Sequence, residues 1–368
     1  MLRLRIRSNA GSTPGTRLVS ASSMAVIRTN SRGTLIPDSA LKIRTVLASM
    51  IMVVLPAMAV AQVPASFEAP VLGYLFDAEH RGVRPITGIP GSSTIGAPIP
   101  LAVPTETIVF LPDQRHAIVG SSERPETFVL DLRELTEVPI RGTSSAVTAM
   151  RISPRGSAAA LYYAAANKVL VVTGLPEAPV IRATIDISFS DDPLRHFAVA
   201  DDGTTALLSF SLAEHDSVYA WTASTGPHHV STASTVSDMT FLNEDAVVVD
   251  SGKKQALLIR NVRQQAVPAL IASAEDGLSQ PVAAFISSRN EIYIGDSSGI
   301  VLVLDSTGHI LRKAHCSCTI TTMVSLANSA VRLTDRSDQP MFIMDGSEFD
   351  RFLFVPALSV PLTQEGRQ

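Results

Sequence analysis

Three groups of residues in this chain have the types and spacing for chemistry. Asp191 and Asp192 stand just ahead of His196, and Glu214, His215 and Asp216 follow as a second cluster. Carboxylates beside imidazole can hold a divalent cation, or act as an acid–base pair. Their spacing matches no diagnostic ligand motif, and two solvated polar loops would carry the same residues. They are read as candidate ligand-binding residues, with no catalytic residue, metal or cofactor assigned. The third group is His315-Cys316-Ser317-Cys318, which holds the only two cysteines. Cys-x-Cys beside histidine can bind a soft metal through thiolates. It can also close a small disulfide, or remain as two free thiols. In extended backbone the two Cα atoms would stand about 6.5–7 Å apart, so a disulfide needs a turn.

These residues must be held by a repeating frame, which is clearest from Val236. An apolar run ends at Phe241-Leu242, and Asn243 to Asp245 makes a polar turn. Ala246 to Val249 is a second run, Asp250 to Gln255 a loop, and Ala256 to Ile259 a third run. Ala266 to Ile271 is a weaker fourth. The runs are short, β-branched and often alternating, which argues strands. The grammar recurs roughly every 40–47 residues, the period of a four-stranded module. Complete units begin near Thr107, Val147, His196, Val236, Val282 and Thr321. Their first turns are rich in Pro, Gly, Asp and Asn, as tight hairpins require.

A half unit precedes them. Val71 to Asp77 reads as a third strand and Arg84 to Gly88 as a fourth, parallel to Thr127–Asp131 and Val138–Gly142. Pro90 to Pro104 reads as a linker. Asp77, Asp131, Asp305 and Asp345 each follow such a third run. An aspartate there caps the next turn through backbone N–H groups. Six units and a leading half imply an all-β propeller of four-stranded blades. Seven blades are expected rather than six, closed by N- and C-terminal strands sharing one blade. Leu358 to Leu362 is the candidate inner strand for that closure.

The turns at Ser153-Pro-Arg-Gly156 and Ala200-Asp-Asp-Gly203 resemble the Ser-Pro-Asp-Gly hairpins of WD40-like and YVTN-type propellers. The resemblance covers about Pro70 to Ala357 and implies architecture alone. The Gly-His and Trp-Asp pairs of WD40 repeats are missing. So are the Gly-Gly pairs of kelch repeats, the boxes of sialidases and the repeated tryptophans of quinoprotein dehydrogenases. In such a ring the second-to-third strand loops share a face with the blade-to-blade connections. The first two clusters map there, Asp191, Asp192 and His196 on a connection, Glu214 to Asp216 on a loop. His228-His229 maps to a turn on the opposite face. The Cys316–Cys318 pair maps to a connection and is expected to be oxidised, exposed and easily reduced.

The N-terminus carries a different signal. Residues 1–40 are basic and polar, and read as a disordered leader or as sequence upstream of a later start. Lys42 and Arg44 then precede an uncharged run from Thr45 that ends in Ala59-Val60-Ala61. That is the layout of a cleaved signal peptide over 41–61, with cleavage after Ala61. Residues 62–368 are expected to form one domain, periplasmic or secreted, free of the membrane once cleaved. Of the 368 residues, 46% are hydrophobic and 17% charged, with a net charge of −4. That composition suits a large core and gives no footprint for nucleic acid. The expectation is a monomeric binding or scaffold module that takes a protein or small molecule on the propeller face. A propeller-type hydrolase or lactonase is the alternative.

Overall fold

The computed structural model describes residues 69–335, 340–347 and 351–357. They form seven antiparallel sheets, each a meander in chain order. We number these as blades 1 to 7, spanning residues 71–95, 107–139, 149–186, 194–233, 236–272, 281–315 and 324–355. Blades 2 to 7 have four strands, and blade 1 has three among the described residues. Helix among the described residues is confined to two single turns, Ala164–Ala166 and Ala274–Asp276. The molecule is the β-propeller that the repeat implied.

No blade has a core of its own. Apolar side chains alternate along each strand, so one set meets the preceding blade and the other the following blade. Along Asp245–Asp250, Ala246 and Val248 pack toward blade 4, whereas Val247 and Val249 pack toward blade 6. All four are fully buried, which is why the strand reads as an unbroken apolar run. Seven such clusters fill the seven junctions, including Leu72 and Ile86 against Ile343 and Val355 where blade 7 meets blade 1. Burying a large side chain this way contributes about 1.5–3 kcal/mol. The ring is therefore held by its junctions.

Tight first turns set the register. Gly203 closes its turn with an N–H bond to the Ala200 carbonyl at 2.9 Å, and takes a φ of +65°. A Cβ there would lie 2.2 Å from the Thr173 methyl, so both conformation and space demand glycine.

Blade 1 departs from the sequence reading. Val71–Asp77 occupies the second strand position, not the third. Its following turn lies beside the connection into blade 2, where the Arg81 carbonyl accepts the Thr105 N–H at 2.9 Å. The stretch expected to be a linker contains the outermost strand, Ser92–Ile95. That strand packs beside Phe352–Val355, the outermost strand of blade 7. The misreading has a physical cause. Aspartates end second strands as well as third ones, as Asp250 and Asp296 do. The proposed closing segment, Leu358 to Leu362, lies outside the described residues.

The capping role of the aspartates is borne out. Asp131 Oδ1 accepts the N–H groups of Arg133 and Glu134, at 2.9 and 3.1 Å. Its Oδ2 accepts from Arg115 Nε at 2.8 Å. Burial alone would raise the Asp131 carboxyl, but Arg115 and those two N–H groups hold it at about 2. A carboxyl depressed below its unfolded value of 3.8 stabilises the fold fully above that value, and the contribution fades as pH falls through about 2. Asp131→Asn should therefore lower the melting temperature at pH 7, with the gap from the parent narrowing between pH 4 and 2. A gap that stays constant over that window in thermal unfolding would contradict the assignment.

Candidate functional site

The residues singled out from the sequence do not converge. Asp191 and Asp192 lie in the connection between blades 3 and 4, in a shallow groove with Tyr162, Asn167 and Ile187. Glu214 and His215 sit on the hairpin between the second and third strands of blade 4, closed by the Leu212 N–H to the His215 carbonyl at 2.9 Å. Asp216 is buried at the start of the third strand and accepts the Val236 N–H at 2.7 Å, tying blade 4 to blade 5. His196 is not in the connection. It belongs to Leu194–Val199, the innermost strand of blade 4. His228 and His229 lie within the outermost strand, Gly226–Ala233, not in a turn. Among the described residues no three His, Cys, Asp or Glu side chains are grouped to hold a metal ion.

Cys316 and Cys318 are joined as a disulfide, their Cα atoms 5.2 Å apart. The pair lies on the connection between blades 6 and 7, as expected. The expected exposure is wrong. Cys316 is 2% exposed and belongs to the core between blades 6 and 7 with Ile320 and Met323. The connection dips into the junction because the Cys316 N–H bonds the Gly299 carbonyl at 2.9 Å. With both sulfurs joined to each other, neither is a thiolate ligand.

A cavity lies at the ring axis. Its volume is about 170 Å³, and its wall comes from the innermost strands of blades 2, 3, 5, 6 and 7. The register of those strands shows how the sequence builds it. The inner hairpins close at Leu111, Ser153, Ala200, Ser287 and Leu326, through N–H bonds to the second strand, and Leu242 pairs with Asp245 in blade 5. Two residues upstream of these marks stand Val109, Arg151, Ala198, Thr240, Phe285 and Val324. All but Ala198 line the cavity. Four residues upstream stand Thr107, Ala149, His196, Asp238, Ala283 and Thr322. Of these, Asp238 reaches the cavity.

Inner-strand bulges recur at this deeper level in three successive blades, before His196, Asp238 and Ala283. A bulge re-aims the side chains that follow it. The Asp238 carboxylate accepts the N–H groups of Met239 and Ala284, both at 3.0 Å. His196 Nδ1 is buried with no partner. Burial lowers the His196 imidazole, helped by Arg151 and Arg195 and opposed by Asp238 and Asp216, so the ring is neutral at pH 7.

The cavity opens at the face opposite the one expected. Its vestibule, about 400 Å³, is lined by first-to-second strand turns: Pro112 and Asp113, Pro154 and Arg155, Asp201, Asn243, and Ser287 with Asn290. These turns are tied together. The Arg155 N–H donates to Asp201 Oδ1 at 2.8 Å, and Ser157 Oγ donates to the Asp201 carbonyl at 2.6 Å. Gln114 braces the wall from within, its Nε2 donating to the Leu111 and Ser325 carbonyls at 3.2 and 2.7 Å. Arg151, Asp238 and Gln114 were missed in the sequence. Stacking the units on their first turns would have shown the positions, though not which strands surround the axis.

No family model matches this sequence, and no curated protein matches it. Solved structures do match. A functionally unknown protein from Desulfotomaculum acetoxidans DSM 771 superposes with a TM-score of 0.52 at 12% identity, covering 78% of this chain and 100% of that one. A streptogramin B lyase structure gives 0.51 at 11% identity, over 70% of this chain and 86% of that one. A catalytically inactive variant of virginiamycin B lyase from Staphylococcus aureus, with quinupristin, gives 0.50 at 11%, over 69% and 84%. At such identities the likeness is one of fold. That fold is a β-propeller, in agreement with the seven blades described above.

Proposed function

We propose that this chain is an exported binding module that takes a small ligand in its axial cavity. The observation that carries this reading is the cavity wall. It is mostly apolar, with Val109, Phe110, Met239, Phe285 and Met323, and has a few fixed polar groups. Small-molecule sites share that composition. The export half rests on the basic segment, apolar run and small-x-small site ending at Ala61. The hydrolytic reading has one observation in its favour, the neutral, unpartnered His196. Its nearby carboxylates, Asp216 and Asp238, are already engaged by backbone N–H groups.

An uncharged apolar fluorophore, N-phenyl-1-naphthylamine, tests the binding reading. Saturable binding to one site per chain is expected, and Thr240→Phe should abolish it by filling the cavity. Thr240 lines the wall and is partly exposed, so the larger ring has room to enter. Binding that ignores Thr240→Phe, or no saturable binding, would remove the proposal. Ester or lactone hydrolysis lost in His196→Ala would instead favour the enzyme.

A further inference from the structure

We infer that the ligand of the axial cavity carries a carboxylate on an apolar body, and that Arg151 holds the carboxylate. This rests on the binding reading above and names the chemical class of ligand. At the level of Arg151 the ring presents Val109, Ala198, Thr240, Phe285 and Val324 from the other described inner strands, none of them charged. The guanidinium makes no hydrogen bond or ion pair among the described residues. Four arginines elsewhere are held by carboxylates, Arg84 by Asp77, Arg115 by Asp131, Arg260 by Asp245 and Arg312 by Glu291; Arg151 is the arginine that lines the axial cavity. A guanidinium offers a planar fork of donors that matches a carboxylate in a bidentate pair.

The other charges near the cavity set the orientation. Asp238 lies one level deeper, its carboxylate occupied by two N–H groups, and would repel an anion placed there. In the vestibule Asp113 is held by the N–H groups of Arg115 and His116, and Asp201 by that of Arg155. Arg155, the vestibule's cation, is turned to Asn243 Oδ1 at 3.4 Å, so the carboxylate is assigned to Arg151, with the apolar body against Phe285, Met239 and Met323.

Calorimetric titration of the full chain with octanoate and with octan-1-ol separates the possibilities. Arg151→Gln removes the charge, and because Arg151 is exposed and bonded to nothing among the described residues it should leave the melting temperature unchanged. Octanoate should bind the parent at least about tenfold more tightly than octan-1-ol, the worth of one charge-assisted pair. Arg151→Gln should erase that difference, and Arg151→Lys should restore part of it. Equal binding of both compounds, untouched by Arg151→Gln, would overturn the carboxylate while leaving the cavity reading intact. Failure of both compounds to bind would overturn the two together.

Discussion

Replacing Asp296 by alanine is expected to destabilise the fold by roughly 3–5 kcal/mol. The carboxylate is fully buried at the end of the second strand of blade 6. It accepts the Ser279 and Gln280 N–H groups at 2.8 and 2.7 Å, from the connection entering the blade. It also accepts the Ser298 N–H at 2.9 Å and the hydroxyls of Ser279 and Ser298 at 2.8 and 2.6 Å. Burial pushes its carboxyl up, but these donors outweigh burial and hold it below 3.8. Alanine would leave three backbone donors without an acceptor, each costing about 1–3 kcal/mol where water cannot reach. The melting temperature should fall by about 5–10 °C. Asp250 makes the same latch in blade 5, to Ser234 and Thr235, both at 3.0 Å. Asp305, partly exposed and capping a surface turn, supplies the contrast. An Asp296→Ala melting temperature no lower than that of Asp305→Ala would show that the latch is dispensable.

Those latches mark where the sequence was legible and where it was not. Strand runs and tight turns are local, so Val236 to Ile271 could be read strand by strand. The strands Val236–Leu242, Asp245–Asp250, Gln255–Arg260 and Val267–Ala272 fall where the runs did. Seven blades were legible for the same reason. Roles that depend on which blade stands beside which were not. A polar aspartate after an apolar run looks alike whether it caps its own turn, as Asp131 does, or holds the neighbouring connection, as Asp296 does. That ambiguity shifted Val71–Asp77 by one strand position. The candidate site failed similarly. Clusters such as Glu214-His215-Asp216 are conspicuous because they are contiguous. The axial cavity takes one or two residues from each of several strands dozens of positions apart, so Arg151 and Asp238 form no motif. His196 was read as part of the connection, because its strand position follows from pairing with Ser209, which a single sequence does not display.

Deleting residues 358–368 is expected to lower the melting temperature by about 10 °C or more. Among the described residues Val71–Asp77 is the inner edge of blade 1, with no strand on its axial side. Two buried polar atoms near that strand have no partner: Gln114 Oε1, close to Gly73, and Arg332 Nε, whose guanidinium reaches the Tyr74 carbonyl. The route is short. Phe352–Val355 is the outermost strand of blade 7, and in other blades the chain passes from that position to the next inner strand. Between blades 4 and 5 this takes two residues, 234 and 235. Pro356 and Ala357 are the last described residues after that strand, so the deletion tests whether the stretch that follows them closes the ring. A strand added at that edge would contribute about 1.5–3 kcal/mol for each large apolar side chain it buried, and would remove an exposed edge. The truncated chain should also self-associate through the bared edge, which light scattering would detect. An unchanged melting temperature with a monomeric truncated protein would show that the ring is closed in some other way.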